Sequence, residues 1–182
     1  IVATGAILSS IPMLSAIPLD ALAFGDRVLL NADNGTLELK GVIQETIAMA
    51  LLMNRDKILL LRHGGRSKLL GGQWLGVSEK ISGKKSPERV AISAVKAQTG
   101  IEIDRFDIRI RGDVVHVRTG PIVLEVYPFL IVTEETEIKL GDGYEEYKWI
   151  LPENLKSMKT MISLNRIVDS LLSRRESGGK IC

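Results

Sequence analysis

Residues 86–102 read SPERVAISAVKAQTGIE, a helix that carries its own punctuation. Ser86 is a strong N-cap, Pro87 is favoured at the first helical position, and Gly100 is placed to end the helix. Val90, Ala91, Ala94, Val95 and Ala97 predict a buried side. Upstream, TIAMALLMNRDKILLLRH (46–63) gives two β-like runs around the polar turn Asn54-Arg55-Asp56-Lys57. A loop rich in glycine and basic residues (64–72) and the run WLGVSEKIS (74–82) follow. Downstream come strand-like runs at 101–111, 114–118 and 122–132, the last two joined at Thr119-Gly120-Pro121. YKWIL (147–151) is a further short strand. Pro152-Glu153-Asn154-Leu155 turns into a final amphipathic helix over 160–172, followed by the polar run RRESGGKIC. Strands, helix, strands, helix is the order of an α/β protein, a mixed sheet layered between helices.

The chain has 182 residues, enough for one principal core and an appendage. With 45% hydrophobic and 25% charged residues it has a globular composition, not a disordered or fibrous one. The formal charge of +2 gives no clustered excess of positive charge, so neither nucleic acid nor an anionic membrane is expected as a partner. Cys182 is the single cysteine, which excludes an internal disulfide and suits a reducing, cytoplasmic setting.

The first 25 residues, IVATGAILSSIPMLSAIPLDALAFG, are apolar enough to suggest a signal peptide or a spanning helix. No basic residue precedes Arg27, however, Pro12 and Pro18 interrupt the run, and Asp20 sits within it. Residues 4–10 and 19–24 read as short helical pieces. DRVLLNA (26–32) and TLELKG (36–41), joined through Asp33-Asn34-Gly35, read as a hairpin. The expected division is an extension over 1–42, a domain over 43–175 and a polar tail over 176–182. So short an extension cannot build its own core and must lean on the domain or on another chain.

The segments at 53–63, 74–82, 86–102 and 145–155 resemble, in order, the Nudix hydrolases, which cleave diphosphate linkages in nucleotide derivatives with magnesium. The resemblance covers residues 45–173. It implies a Nudix-like mixed sheet sandwiched between helices, with the N-terminal segment as a short β-containing extension. The family's box runs Gly, five residues, Glu, seven residues, then Arg-Glu-apolar-x-Glu-Glu-x-Gly-apolar. With its last glycine on Gly100, the apolar positions fall on Val95 and Ile101. The first glycine falls on Glu79, the first glutamate on Lys85, Arg-Glu on Ser93-Ala94, and Glu-Glu on Ala97-Gln98.

Positions 94, 97 and 98 share a helix face by spacing. In the family three carboxylates there converge on magnesium, a hard cation held through oxygen ligands. Two alanines and an amide cannot replace them, and Lys85 would repel a cation. The expected role is therefore non-catalytic: a binding or regulatory module for a nucleotide-like anion or a protein partner, with no cofactor and no metal. Against this stands a magnesium-dependent hydrolase with relocated carboxylates, for which Glu79 and Glu146 are the candidates, with Glu88, Glu102 and Glu145 nearby in sequence. A third reading is a structural subunit completed by a partner chain.

If the site binds without cutting, the ligand-binding candidates are Arg62, Lys80, Lys84, Lys85 and Arg89, together with Arg66, since lysine and arginine hold phosphate directly. Trp74 is a candidate for base stacking. The plain alternative is a solvated basic face and a core tryptophan. His63 and His116 lack metal-ligand spacing. The N-terminal segment resembles the last third of the swivelling β/β/α domain of phosphoenolpyruvate-utilising enzymes and aconitase-X-type dehydratase small subunits. That likeness implies a docking surface for a protein partner or a second copy, or else a structural extension.

Overall fold

The computed structural model describes residues 27–31, 36–40, 43–64, 71–119 and 121–178. The helical pieces expected at 4–10 and 19–24, the Asn34-Gly35 turn, Arg66 and Cys182 lie outside the described residues.

Strands β1 (Arg27–Asn31) and β2 (Thr36–Lys40) pair antiparallel as a two-stranded sheet. The other strands form one mixed sheet. These are β3 (Ile43–Asn54), β4 (Lys57–His63), β5 (Trp74–Leu75), β6 (Val77–Lys80), β7 (Ile108–Arg111), β8 (Val115–Thr119), β9 (Ile122–Val132) and β10 (Tyr144–Ile150). Its order is β10-β4-β3-β9-β7, with β5 on β4, β6 on β3 and β8 on β9. The β3–β9 pair is parallel and runs from Ile43↔Ile122 to Met53↔Val132. β3 and β4 meet at a two-residue turn, where Arg55 takes a positive φ of 55°.

The central strands are apolar in nearly every position, as strands covered on both faces must be. Parity divides their side chains between two cores. Ala48, Ala50, Leu52, Leu59 and Leu61 face helix α1 (Pro87–Thr99), with its Val90, Ala91, Ala94 and Val95. Met49, Leu51, Met53, Ile58 and Leu60 face helix α2 (Leu164–Gly178), with its Leu164, Ile167, Val168 and Leu171. The α/β sandwich expected from the sequence is the observed one.

Helix α1 has the predicted ends. The Ser86 hydroxyl accepts the Arg89 N–H at 3.3 Å, and Gly100, at φ 75°, donates its N–H to the Lys96 carbonyl. Its buried side differs in one position: Ala97 is exposed, while Gln98 and Thr99 are buried.

Two other expectations are corrected. The strand predicted over 101–111 is only Ile108–Arg111, because Asp104 and Asp107 bond to backbone and fold 104–107 into a turn. The last helix starts at Leu164 and runs to Gly178, not over 160–172. Its expected first turn is extended instead. The Trp74 N–H donates to the Lys159 carbonyl, the Met161 N–H donates to the Trp74 carbonyl, and Ser163 turns the chain at φ 68°.

Candidate functional site

The sheet forks. β3 and β4 share only their turn-proximal ends, after which β4 continues with β5 and β10 while β3 continues with β6. Gly76 separates β5 from β6. A Cβ there would lie 3.0 Å from the Ala50 carbonyl oxygen, so glycine lets the chain cross β3 closely.

A cleft of ≈ 300 Å³ lies in the fork. Glu45, Ile47, Ser78, Glu79 and Lys80 line it from the β3–β6 arm, and His63 and Tyr144 from the β4–β10 arm. Gln98 enters from α1 and Asp142 from the segment before β10, while Leu124 and Met161 give the cleft an apolar wall.

Gln98 is 7% exposed and makes a clasp at the centre. Its Nε2 donates to the Ser78 carbonyl at 2.8 Å, and its Oε1 accepts the Ser78 N–H at 3.3 Å and the Tyr144 hydroxyl at 2.7 Å. Glu79 Oε2 stands 3.5 Å from Nε2. One amide thus ties α1 to β6 and β10, using donor and acceptor ends together, which a carboxylate cannot do. Burial first, then the charge of Glu79, push the Tyr144 phenol up to about 12, against an opposing pull from Ser78. It remains a neutral donor to Gln98 at ordinary pH. The His63 ring tilts at 50° against Tyr144, with centroids 5.2 Å apart.

A strap crosses the C-terminal end of α1. The Lys139 N–H donates to the Thr99 carbonyl and the Gly141 N–H to the Gln98 carbonyl, giving partners to carbonyls that a helix end leaves free. Gly141 allows this approach: a Cβ there would lie 2.5 Å from the Ala97 carbonyl oxygen.

Magnesium does not fit the residues at the box positions. Ala94 is buried, Ala97 is exposed but carries no donor, and Gln98 has its amide engaged. Among the described residues no group of three or more His, Cys, Asp or Glu side chains could hold a metal ion. The carboxylates considered for relocation do not converge. Glu79 lines the cleft, whereas Glu145 and Glu146 lie 3.6 Å and 3.3 Å from Arg62. Glu88 pairs with Arg111 and Glu102 with Lys96.

The basic candidates are also dispersed. Lys80 lines the cleft but is bonded to Glu45 at 2.8 Å. Lys84 and Lys85 are exposed on the turn between β6 and α1. Arg89 lines a different groove. Arg62 alternates with Leu61 and so points to the α2 side of the sheet, where it stands 5.9 Å from the Trp74 ring centroid. Trp74 is 7% exposed, belongs to the α2-side core, and has the Lys148 ammonium 5.0 Å from its ring. Sequence reasoning did not find Glu45, Tyr144 or Asp142. Only the pairing of strands distant in sequence brings them to the cleft.

No protein-family model matches the chain, and a search of curated proteins finds no match. Solved structures do match. The MutT protein of Methanosarcina mazei Go1 is 22% identical with a TM-score of 0.60, over 76% of this chain and 98% of that one. The NUDIX domain of Shewanella oneidensis NrtR, complexed with ADP ribose, is 12% identical with a TM-score of 0.60, over 74% and 88%. A bifunctional NMN adenylyltransferase/ADP ribose pyrophosphatase of Francisella tularensis, complexed with AMP and a manganese ion, is 18% identical with a TM-score of 0.60, over 72% and 42%. The fold of this chain is the Nudix fold. Among the described residues, no helix is long and apolar enough to cross a membrane.

Proposed function

We propose that this chain is a non-hydrolytic binding module that takes a nucleotide-like ligand in the forked cleft without a divalent metal. The observation that carries this reading is the Gln98 clasp. At the helix position where a Nudix hydrolase presents a carboxylate, an amide is consumed in holding α1, β6 and β10 together. The cleft itself suits the uncharged part of such a ligand, with Leu124 and Met161 as an apolar wall and the polar residues Ser78, His63 and Tyr144 also lining it. Its carboxylates exceed its cations: Lys80 offsets Glu45, which leaves Glu79 and Asp142. A bare phosphate is repelled there, so the ligand's anionic end points outward, toward the exposed Lys84-Lys85 turn that continues from Lys80. The solved Nudix domain with ADP ribose supplies the first ligand class to test.

The test is calorimetry and product chromatography on ADP ribose and a panel of nucleoside diphosphate derivatives, with magnesium, with manganese and with a chelator. Binding in chelator that Lys85→Glu weakens, with no product formed, is the expected result. Metal-dependent cleavage at a useful turnover overturns the reading and returns attention to Glu79.

A further inference from the structure

On the flank of α1 away from the cleft, a groove of ≈ 530 Å³ lies between the first turns of the helix, the 104–107 turn and β7. Three guanidinium groups line it, each from a different element: Arg89 from α1, Arg105 from the turn and Arg111 from β7. Two carboxylates share the groove, one in an ion pair and one bonded to backbone, so three guanidinium groups face two acids. Glu88 holds Arg111 at 2.7 Å, and Asp104 accepts the Phe106 N–H at 2.6 Å. Among the described residues Arg89 and Arg105 enter no ion pair. The positive charge of the groove therefore exceeds what its own acids neutralise.

The groove also has an apolar part. Ile92 and Ile103 line it half-buried. Phe106, 70% exposed, stands beside it under the Arg105 guanidinium, 4.7 Å from ring centroid to carbon. The turn presenting Arg105 and Phe106 is closed by its own side chains, because Asp107 accepts the Asp104 N–H at 2.8 Å while Asp104 accepts from Phe106. Guanidinium groups bind oxyanions in paired, directional hydrogen bonds, and a closed turn reduces the ordering cost of binding.

We propose that this groove is a second ligand site, separate from the cleft, for a small molecule with a phosphate or carboxylate group on an apolar or aromatic body. The oxyanion sits between Arg89 and Arg105, and the body lies on Ile92 and Ile103.

Phenyl phosphate and benzoate share a body and differ in the oxyanion, so the pair separates phosphate from carboxylate ligands, with inorganic phosphate as the bodiless control. In amide NMR titrations of the full chain, at least one of the first two is expected to shift residues around Ile92, Ile103 and Arg111 saturably, and more tightly than inorganic phosphate. Arg89→Ala with Arg105→Ala, both exposed and outside the core, is expected to weaken that binding about tenfold or more. Glu88→Gln, which frees Arg111, is expected to strengthen it. No saturable shift by either compound up to about 10 mM, shifts confined to the cleft, or binding unchanged in the double variant overturns the proposal.

Discussion

At the scale of a residue, Gln98 joins helix α1 to β6 and β10 through one amide. A glutamate at this position restores the letter of the Nudix box but not its chemistry. The introduced carboxylate has no proton to give the Ser78 carbonyl, now 2.8 Å from Nε2, and it adds a second negative charge beside Glu79. An unmade buried hydrogen bond of this kind costs about 1–3 kcal/mol. Gln98→Glu is therefore expected to lower stability by about that much in urea denaturation at neutral pH, without creating magnesium-dependent turnover. Acidification is expected to recover part of the loss. Protonation returns a donor to position 98, so the folded state raises the carboxyl's affinity for a proton, and the variant gains on wild type as pH falls. Equal stability at neutral pH, or stabilisation by magnesium, counts against the clasp.

At the scale of elements, the same end of α1 is held from outside by the strap over residues 139–141. Gly141 is needed there for space, not for backbone conformation: its Cβ would meet the Ala97 carbonyl oxygen and the Gln98 Cα, both backbone atoms that cannot swing aside. Gly141→Ala is expected to lift the strap from the helix, with a loss of about 1–3 kcal/mol. The amides of Lys139 and Gly141, which donate to Thr99 and Gln98, are expected to exchange much faster, while those of β3 and β9 keep their protection. Unchanged exchange at Lys139 and Gly141 would show that the approach tolerates a methyl group.

Helix α1 and strands β3, β4 and β9 were legible in the sequence because their signals are local: a cap, a proline, a terminal glycine, long apolar runs. The fork was not. Residues 74–82 read as one undivided run, and only pairing divides them, β5 joining β4 and β6 joining β3 on either side of Gly76. The misread segments share a cause. Asp104 and Asp107 spend their side chains on backbone, and residues 159–161 spend their backbone on Trp74. Each is a contact that apolar periodicity does not register. For the site, the alignment of the box placed an amide at position 98, but the contacts of Gln98 depend on Ser78 and Tyr144, residues 20 and 46 positions away.

At the scale of the whole molecule, the question is where the Nudix body begins. Ile43 is the first residue of the large sheet's ladder: it pairs with Ile122, and its N–H donates to the Pro121 carbonyl at 2.8 Å. β1 and β2 pair with each other in a separate two-stranded sheet. Such a hairpin is marginal at best without further packing. Among the described residues, the buried members of the two cores of the eight-stranded sheet run from Ala48 to Leu171. The division expected between residues 42 and 43, with the segment before it as an appendage, is tested by truncation. A chain shortened to residues 43–182 is expected to unfold in one cooperative transition, with a midpoint in urea close to that of the full chain. It is also expected to keep the protected amides of β3, β4 and β9. Loss of the cooperative transition would mean that the hairpin supplies part of the body's core and that the fold does not end at Ile43.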